Sequence, residues 1–164
     1  MKIGIAGIGG VGSNVARLLA QAGAGRIKIV DYDRVEAGNL NRQFYRISQL
    51  GSKKTQALAA NLLDINPKMD IEAIEKEIRP GDAAGLFSDC GIVVEGLDDK
   101  QMKKMMIEEL SGCGMPVVAA SGIAGKDMDT VQVRKMGSCR IVGDMVSDQE
   151  EHELFAPKIS MITA

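Results

Sequence analysis

Apolar and polar positions along the chain change period several times, and each change marks an element. Residues 2–6 are a short apolar run read as a strand. After a glycine-rich turn, Val11, Val15, Leu18 and Leu19 recur at helical spacing until Gly23 and Gly25 stop the helix. Ile27, Ile29 and Val30 place a second strand over residues 26–31. A helix over residues 55–63 ends at Asn66-Pro67, because the residue before a proline is pushed out of helical backbone. Residues 70–74 alternate as a third strand, 82–87 form a short helix and 91–94 a fourth strand. A helix over 100–110 keeps Met102, Met105, Met106 and Leu110 on its buried side, and residues 115–120 form a fifth strand.

This alternation of strand and helix predicts an α/β, Rossmann-like fold: a mostly parallel sheet with helices on both faces. Beyond Gly125 the pattern changes. Residues 130–136 and 140–142 read as antiparallel strands, a small extension near the C-terminus. Residues 147–155 are acidic and polar, a loop or short helix, and a further helix begins near Pro157 and is cut short at Ala164. With no internal repeat, low-complexity tract or linker, residues 1–164 are expected to form one domain.

Composition narrows the function without choosing it. The 164 residues are 45% hydrophobic and 26% charged, an ordinary globular balance. The net charge of -2, with Lys and Arg scattered, provides no basic field for nucleic acid or an anionic membrane. No apolar run reaches the roughly 18 residues of a membrane helix, and no signal-peptide layout opens the chain, so a cytoplasmic protein is expected. Cys90, Cys113 and Cys139 are too widely spaced for a disulfide framework, and without a C-x-x-C pair no zinc site is expected. The ten methionines read as flexible core filler. The single histidine, His152, lies in the run Glu150-Glu151-His152-Glu153 and reads as part of a solvated face rather than a catalytic base.

The chemistry begins at Gly7-Ile8-Gly9-Gly10-Val11-Gly12, a G-x-G-x-x-G between a strand and a helix. Glycine allows the tight turn, and the helix start offers unpaired N–H groups to a phosphate. Asp31 ends the second strand, nineteen residues after Gly12, where an acid accepts hydrogen bonds from ribose hydroxyls. To this point an NAD-binding redox module explains the residues equally well. The next segment distinguishes them: a long polar loop from Asp31 through Asp33, Asn39, Leu40 and Arg42 to Gln43, then Lys54 at a helix start. A triphosphate needs guanidinium, ammonium and metal to neutralise it. Asp98 and Asp99 follow the fourth strand, at the carboxyl edge where open α/β sheets bind ligands; Asp98 reads as a metal ligand and Asp99 as the cap of the following helix.

D-x-D-x-V-x-x-x-N-L-N-R-Q, then G-x-x-K ending at Lys54, then Asn66-Pro67, all after G-x-G-G-x-G-S, resembles the ThiF/MoeB/ubiquitin-activating superfamily. The resemblance runs from Lys2 to about Gly122, with Val94-Glu95-Gly96-Leu97-Asp98-Asp99 and Ala120-Ser121-Gly122 matching later segments, and is strongest to short zinc-free ThiF-type members. It implies Asp31 on the ribose, Asn39, Arg42 and Lys54 on the phosphates, and Asp98, helped by Asp33, on magnesium. It adds Gly7, Gly9, Gly10, Gly12, Leu40, Gln43 and Asp99 to the nucleotide site, with Arg42, Lys54 and Asp98 as the catalytic set. The implied activity is ATP- and Mg2+-dependent adenylation of the C-terminal glycine carboxylate of a small ubiquitin-like sulfur carrier protein. That carrier would be ThiS-like and end in Gly-Gly, in thiamine or related sulfur biosynthesis, and the enzyme would be a homodimer. Alternatives are a tRNA-modifying dehydratase of the same superfamily, the NAD module and a non-catalytic scaffold. The chain departs from the family pattern in lacking a segment before strand one, whose arginine reaches a neighbouring subunit's ATP. No cysteine stands close before Phe155-Ala156-Pro157; Cys139 is nearest and reads as a half-buried strand residue.

Overall fold

The computed structural model describes residues 1–148 and 151–164. Seven strands form one sheet in the order β3-β2-β1-β4-β5-β7-β6. The strands are β1 (Ile3–Ala6), β2 (Arg26–Asp31), β3 (Asp70–Glu75), β4 (Ile92–Glu95), β5 (Val117–Ala120), β6 (Gln132–Met136) and β7 (Cys139–Gly143). Every pairing is parallel except β6 with β7. This is the expected Rossmann-like α/β sheet with its antiparallel extension at one edge.

Alternation along the strands sends side chains to two separate cores. Ile5, Ile27, Ile29 and Val94 pack under α1 (Gly10–Gln21) and α2 (Lys54–Ile65), with Leu58 and Leu62. Ala6, Val30, Val93, Val117 and Ala119 face the other way, against Phe87 beside α3 (Ala83–Leu86) and Met106 and Leu110 of α4 (Lys100–Gly112). Of the methionines expected inside α4, Met106 is buried, whereas Met102 and Met105 are only half-buried. At the amino-terminal edge of the sheet, the Lys2 and Lys28 ammonium groups meet Asp89 at 2.6 and 2.5 Å. They hold its carboxyl well below the usual carboxylate range. The polar residues that break the β1 and β2 runs therefore tie strands to the α3–β4 turn, away from the carboxyl edge.

The C-terminal residues complete the fold. α5 (Ala156–Thr163) forms with Pro157 in its first turn, where a missing N–H costs nothing, and docks on α1. Ile162 joins Val11 and Ala120 in a third small cluster. Lys158, only 1% exposed, is satisfied by the Ala124 carbonyl and the Asp144 carboxylate, both at 2.6 Å. Burial alone would raise the Asp144 pKa. The Lys158 ammonium and the N–H groups of Val146 and Ser147 overrule it and hold the carboxyl far below its ordinary value. The acidic stretch 147–155 lies partly outside the described residues, at Gln149 and Glu150; Glu151 and His152 both donate backbone N–H groups to the Asp148 carbonyl, and His152 is exposed.

Removing one partner of a buried pair leaves an uncompensated charge, which typically costs about 3–5 kcal/mol. Asp144→Ala should therefore lower unfolding free energy by about that amount in urea denaturation at pH 7. Because the folded pKa is depressed, the native Asp144 contribution is full above roughly pH 4 and is lost as pH falls further. The stability gap between wild type and variant should narrow over the same range.

Candidate functional site

The loop after β1 forms because the backbone must pass where only glycine fits. Gly7 sits at φ +75°, a conformation that favours glycine. A Cβ at Gly12 would run into the Gly7 carbonyl oxygen, and one at Gly96 would lie 2.7 Å from the same atom. These contacts bring the β1 turn, the start of α1 and the end of β4 together. No side chain caps α1 at Gly9 and no acid lies in its first turn, so nothing of the helix's own blocks its first-turn N–H groups.

Hydrogen bonds then fix the polar loop to this turn. Asp31 accepts from the Ile8 N–H and the Asp33 N–H, each at 2.8 Å. Tyr45, buried, donates its hydroxyl to the Ile8 carbonyl at 2.7 Å. Asn14 donates to the carbonyls of Gly10 and Arg42 at 2.7 and 2.8 Å, and Ser13 Oγ accepts the Phe44 N–H at 3.0 Å. The Arg42 guanidinium is braced by the Gly38 carbonyl at 2.8 Å. Lys54, 5% exposed at the first turn of α2, meets Asp33 at 2.7 Å.

The result is a cavity of about 680 Å³ at the carboxyl edge of the sheet. Gly7, Gly9, Gly10, Asp31, Asp33, Arg42, Gln43, Lys54, Asp98 and Asp99 all line it. Gly12, Asn39 and Leu40 do not. Gly12 allows close packing behind the turn, Asn39 Oδ1 accepts the Glu36 N–H at 3.0 Å in a short 3-10 turn, and Leu40 packs on the core. Asp99 has a second duty, since its carboxylate accepts the Met102 N–H at 2.7 Å and so caps α4.

Sequence reasoning missed part of the wall. Lys76, Glu77, Ile78 and Arg79 follow β3, and Ser121, Gly122 and Ile123 follow β5. Both groups lie at carboxyl ends of parallel strands, so the rule that ligands bind there could have found them. Met145, Val146, Ser147, Leu154 and Ile159 reach the cavity only through tertiary packing of the chain after β7. Glu95, 0% exposed at the end of β4, was also missed as a buried charge. Burial pushes its carboxyl up, against the pull of the Lys103 ammonium and the Leu97 N–H.

Comparison with known proteins follows the same span of chain. Residues 1–155 match the ThiF family. The chain belongs to that family. This ThiF-family chain is 45% identical over 77 residues to ubiquitin-like modifier-activating enzyme 5 of Arabidopsis thaliana, covering 47% of this chain and 18% of that protein. It is 33% identical over 127 residues to tRNA threonylcarbamoyladenosine dehydratase of Bacillus subtilis, covering 76% of this chain and 50% of that protein. The chain thus spans half or less of the length of these two relatives. Its fold superposes on the E. coli tRNA N6-threonylcarbamoyladenosine dehydratase, a structure in complex with AMP, with a TM-score of 0.88 at 23% identity, covering 99% of this chain and 80% of that one. Among the described residues no helix is long and apolar enough to cross a membrane.

A nucleotide can be tested against the residues present. Gln43 has a buried side-chain oxygen with no hydrogen-bond partner, and its amide nitrogen stands 3.7 Å from where a Cβ of Gly9 would be. An acceptor without a donor, beside a turn kept free of side chains, fits a polar ligand on the glycine loop. Asp98 and Asp33 are oxygen donors of the kind magnesium takes, one or two at a time, together with phosphate oxygens; among the described residues no group of three such side chains could hold a metal ion.

Two of the three thiols are buried. Cys139 is buried in β7, more deeply than its half-buried expectation, and burial, then the neighbouring Glu95 carboxylate, raises its pKa. Cys90 is pushed up to about 11, mainly by burial. Cys113 is exposed at the end of α4. Only the thiolate reacts, and a thiol with pKa about 11 is ionised in roughly one molecule in a thousand at pH 8. Iodoacetamide at pH 8 followed by peptide mass spectrometry should label Cys113 first, with Cys90 and Cys139 modified only on unfolding.

Proposed function

We propose that this chain binds ATP with magnesium and adenylates a carboxylate, and that its substrate is the C-terminal glycine of a small ubiquitin-like, ThiS-like sulfur carrier protein. The observation that carries the reading is the convergence of the glycine turn, Asp31, Arg42, Lys54 and Asp98 on one cavity. Asp31 stands at the turn where a ribose would sit, and the uncapped start of α1 faces the phosphates. Arg42 and Lys54 neutralise phosphate charge, and Gln43 takes the donor that its oxygen lacks. Asp98, with Asp33, would hold magnesium, which supplies further neutralisation of the phosphates. Asn39 shapes the loop carrying Arg42, and reaches a phosphate only if its hydrogen bond to Glu36 is exchanged.

The chemistry asks little of the protein beyond placement. A C-terminal carboxylate is ionised at neutral pH, so it needs no general base. It attacks the α-phosphorus, one oxygen–phosphorus bond forms, and pyrophosphate leaves with the electron pair of the broken bond. Positioning and charge stabilisation are the main tasks in such transfers. The Lys54–Asp33 ion pair fits that demand, since it fixes the side chain of a buried lysine in the cavity wall. The family's pairing through elements around the site makes a homodimer part of the proposal.

A second reading shares the site and changes the carboxylate. The Bacillus subtilis relative that matches 76% of this chain is a tRNA-modifying dehydratase, which favours a small carboxylate on tRNA. Exchange of labelled pyrophosphate into ATP separates the two. A carrier protein ending in Gly-Gly should stimulate exchange under the first reading, and threonylcarbamoyl-modified tRNA under the second.

Arg42→Ala and Asp98→Ala should each reduce carrier-dependent exchange by roughly a hundred- to a thousandfold, the usual loss for one transition-state stabilising group, while circular dichroism stays native. Arg42 should affect turnover more than ATP affinity. Cys139→Ala should retain exchange. Wild-type rates in either of the first two variants would refute the assignment.

A further inference from the structure

Glu95 is the only fully buried carboxylate among the described residues at 0% exposure, and the roles proposed above do not use it. It ends β4, in register with Ala6 of β1 and Ala119 of β5, at the centre of the sheet. One of its oxygens accepts the Leu97 N–H at 2.8 Å, and the other pairs with the ammonium of Lys103, one turn into α4. On the helix side, Asp99 accepts the Met102 N–H at 2.7 Å with its carboxylate and the Lys103 N–H at 2.9 Å with its carbonyl.

These contacts close a ring. The chain leaves the sheet at Glu95, passes Gly96, Leu97, Asp98 and Asp99, enters α4, and returns through the Lys103 side chain to Glu95. Asp98 stands between two fixed points of that loop, the Glu95–Leu97 bond before it and the Asp99 cap after it. The loop is also pressed on the glycine turn, because Gly96 donates its N–H to Ala6 at 2.8 Å and has no room for a Cβ beside the Gly7 carbonyl. A buried carboxylate whose hydrogen bonds among the described residues go to the Leu97 N–H within this short loop and to Lys103 just beyond it acts on that loop.

We propose that Glu95, clamped by Lys103, is a positioning residue that fixes the Leu97–Asp98 backbone so that the Asp98 carboxylate meets the magnesium of a bound nucleotide. The assignment rests on the nucleotide reading of the cavity. Supporting partners of metal-ligating groups are usually worth about ten- to a hundredfold in metal affinity. Glu95 acts on the metal-linked part of ATP binding and leaves the metal-independent part unchanged.

The test is calorimetric titration of ATP into the purified full chain, with and without magnesium, for wild type, Glu95→Met, Lys103→Met and Lys103→Arg. Glu95→Met fills the same space without an acceptor for the Leu97 N–H, and the ammonium it leaves unpaired belongs to Lys103, whose side chain is 22% exposed and can turn its charged end to water. Glu95→Met should raise the half-saturating magnesium concentration about tenfold, with metal-free ATP affinity within about twofold of wild type. Lys103→Met should shift it in the same direction, and Lys103→Arg should restore it. Unchanged magnesium dependence in Glu95→Met overturns the assignment, as does an equal loss of ATP affinity with and without metal, which marks a general packing defect. Should Glu95→Met not fold, Glu95→Gln, which keeps the volume and an acceptor for the Leu97 N–H but gives up the ion pair with Lys103, carries the same comparison, and its unchanged magnesium dependence overturns the assignment equally. Wild-type protein that binds ATP with no response to magnesium removes the nucleotide–metal reading, and the Glu95 assignment with it.

Discussion

The Gly7 carbonyl is the point at which the rest of the site is fixed. Gly12 comes so close that no side chain fits between them, and Gly96 approaches from the neighbouring strand under the same restriction. The β1 turn, the start of α1 just after it and, far along the chain, the end of β4 therefore share one small volume, and any bulk there would separate α1 from β1 or β4 from both. The parallel register of β1 with β2 and β4 then carries Asp31 and Glu95 to the same edge, because each ends its strand at the level of the turn. What a ligand meets is the consequence: an uncapped helix start, an acid on one side and a loop of acids on the other.

Electrostatically, the site stores its cations against acids. Lys54 is held by Asp33 and Lys103 by Glu95, and outside the cavity lining Lys158 is held by Asp144 in the same way. Each pair fixes the position of a lysine side chain by a carboxylate that it meets inside the fold. Asp33 is exposed while Lys54 is buried, which leaves the carboxylate the freer member of that pair to turn towards a metal. Such preorganisation fits a reaction whose demand is placement and charge rather than proton transfer.

Much of this was legible in the sequence, for identifiable reasons. Strand and helix periodicity gave the order of elements, and the spacing from Gly12 to Asp31 and from Arg42 to Lys54 located the loop between β2 and α2. Local signals could do this because each motif sits at the end of its own element. Asn39 and Leu40 belong to the same motif yet turn away from the cavity, since a 3-10 turn sends neighbouring side chains in different directions. Glu95 stood in a segment that matches the family but was given no role of its own; its place depends on Lys103, eight residues on and across the strand–helix turn. Ile159 was hidden for a stronger reason, because only the docking of α5 on α1 brings it to the cavity. Sequence similarity to the ThiF family covers residues 1–155 and stops just before that helix.

The central claim is that the cavity is built for a magnesium-bound triphosphate rather than for a dinucleotide redox cofactor. Competition in one calorimetric cell tests it most directly: MgATP titrated into protein alone and into protein presaturated with NAD. The account predicts a single MgATP site per chain, binding that weakens when magnesium is chelated, and no displacement by NAD. Tight NAD binding that blocks ATP, with no dependence on magnesium, would contradict it.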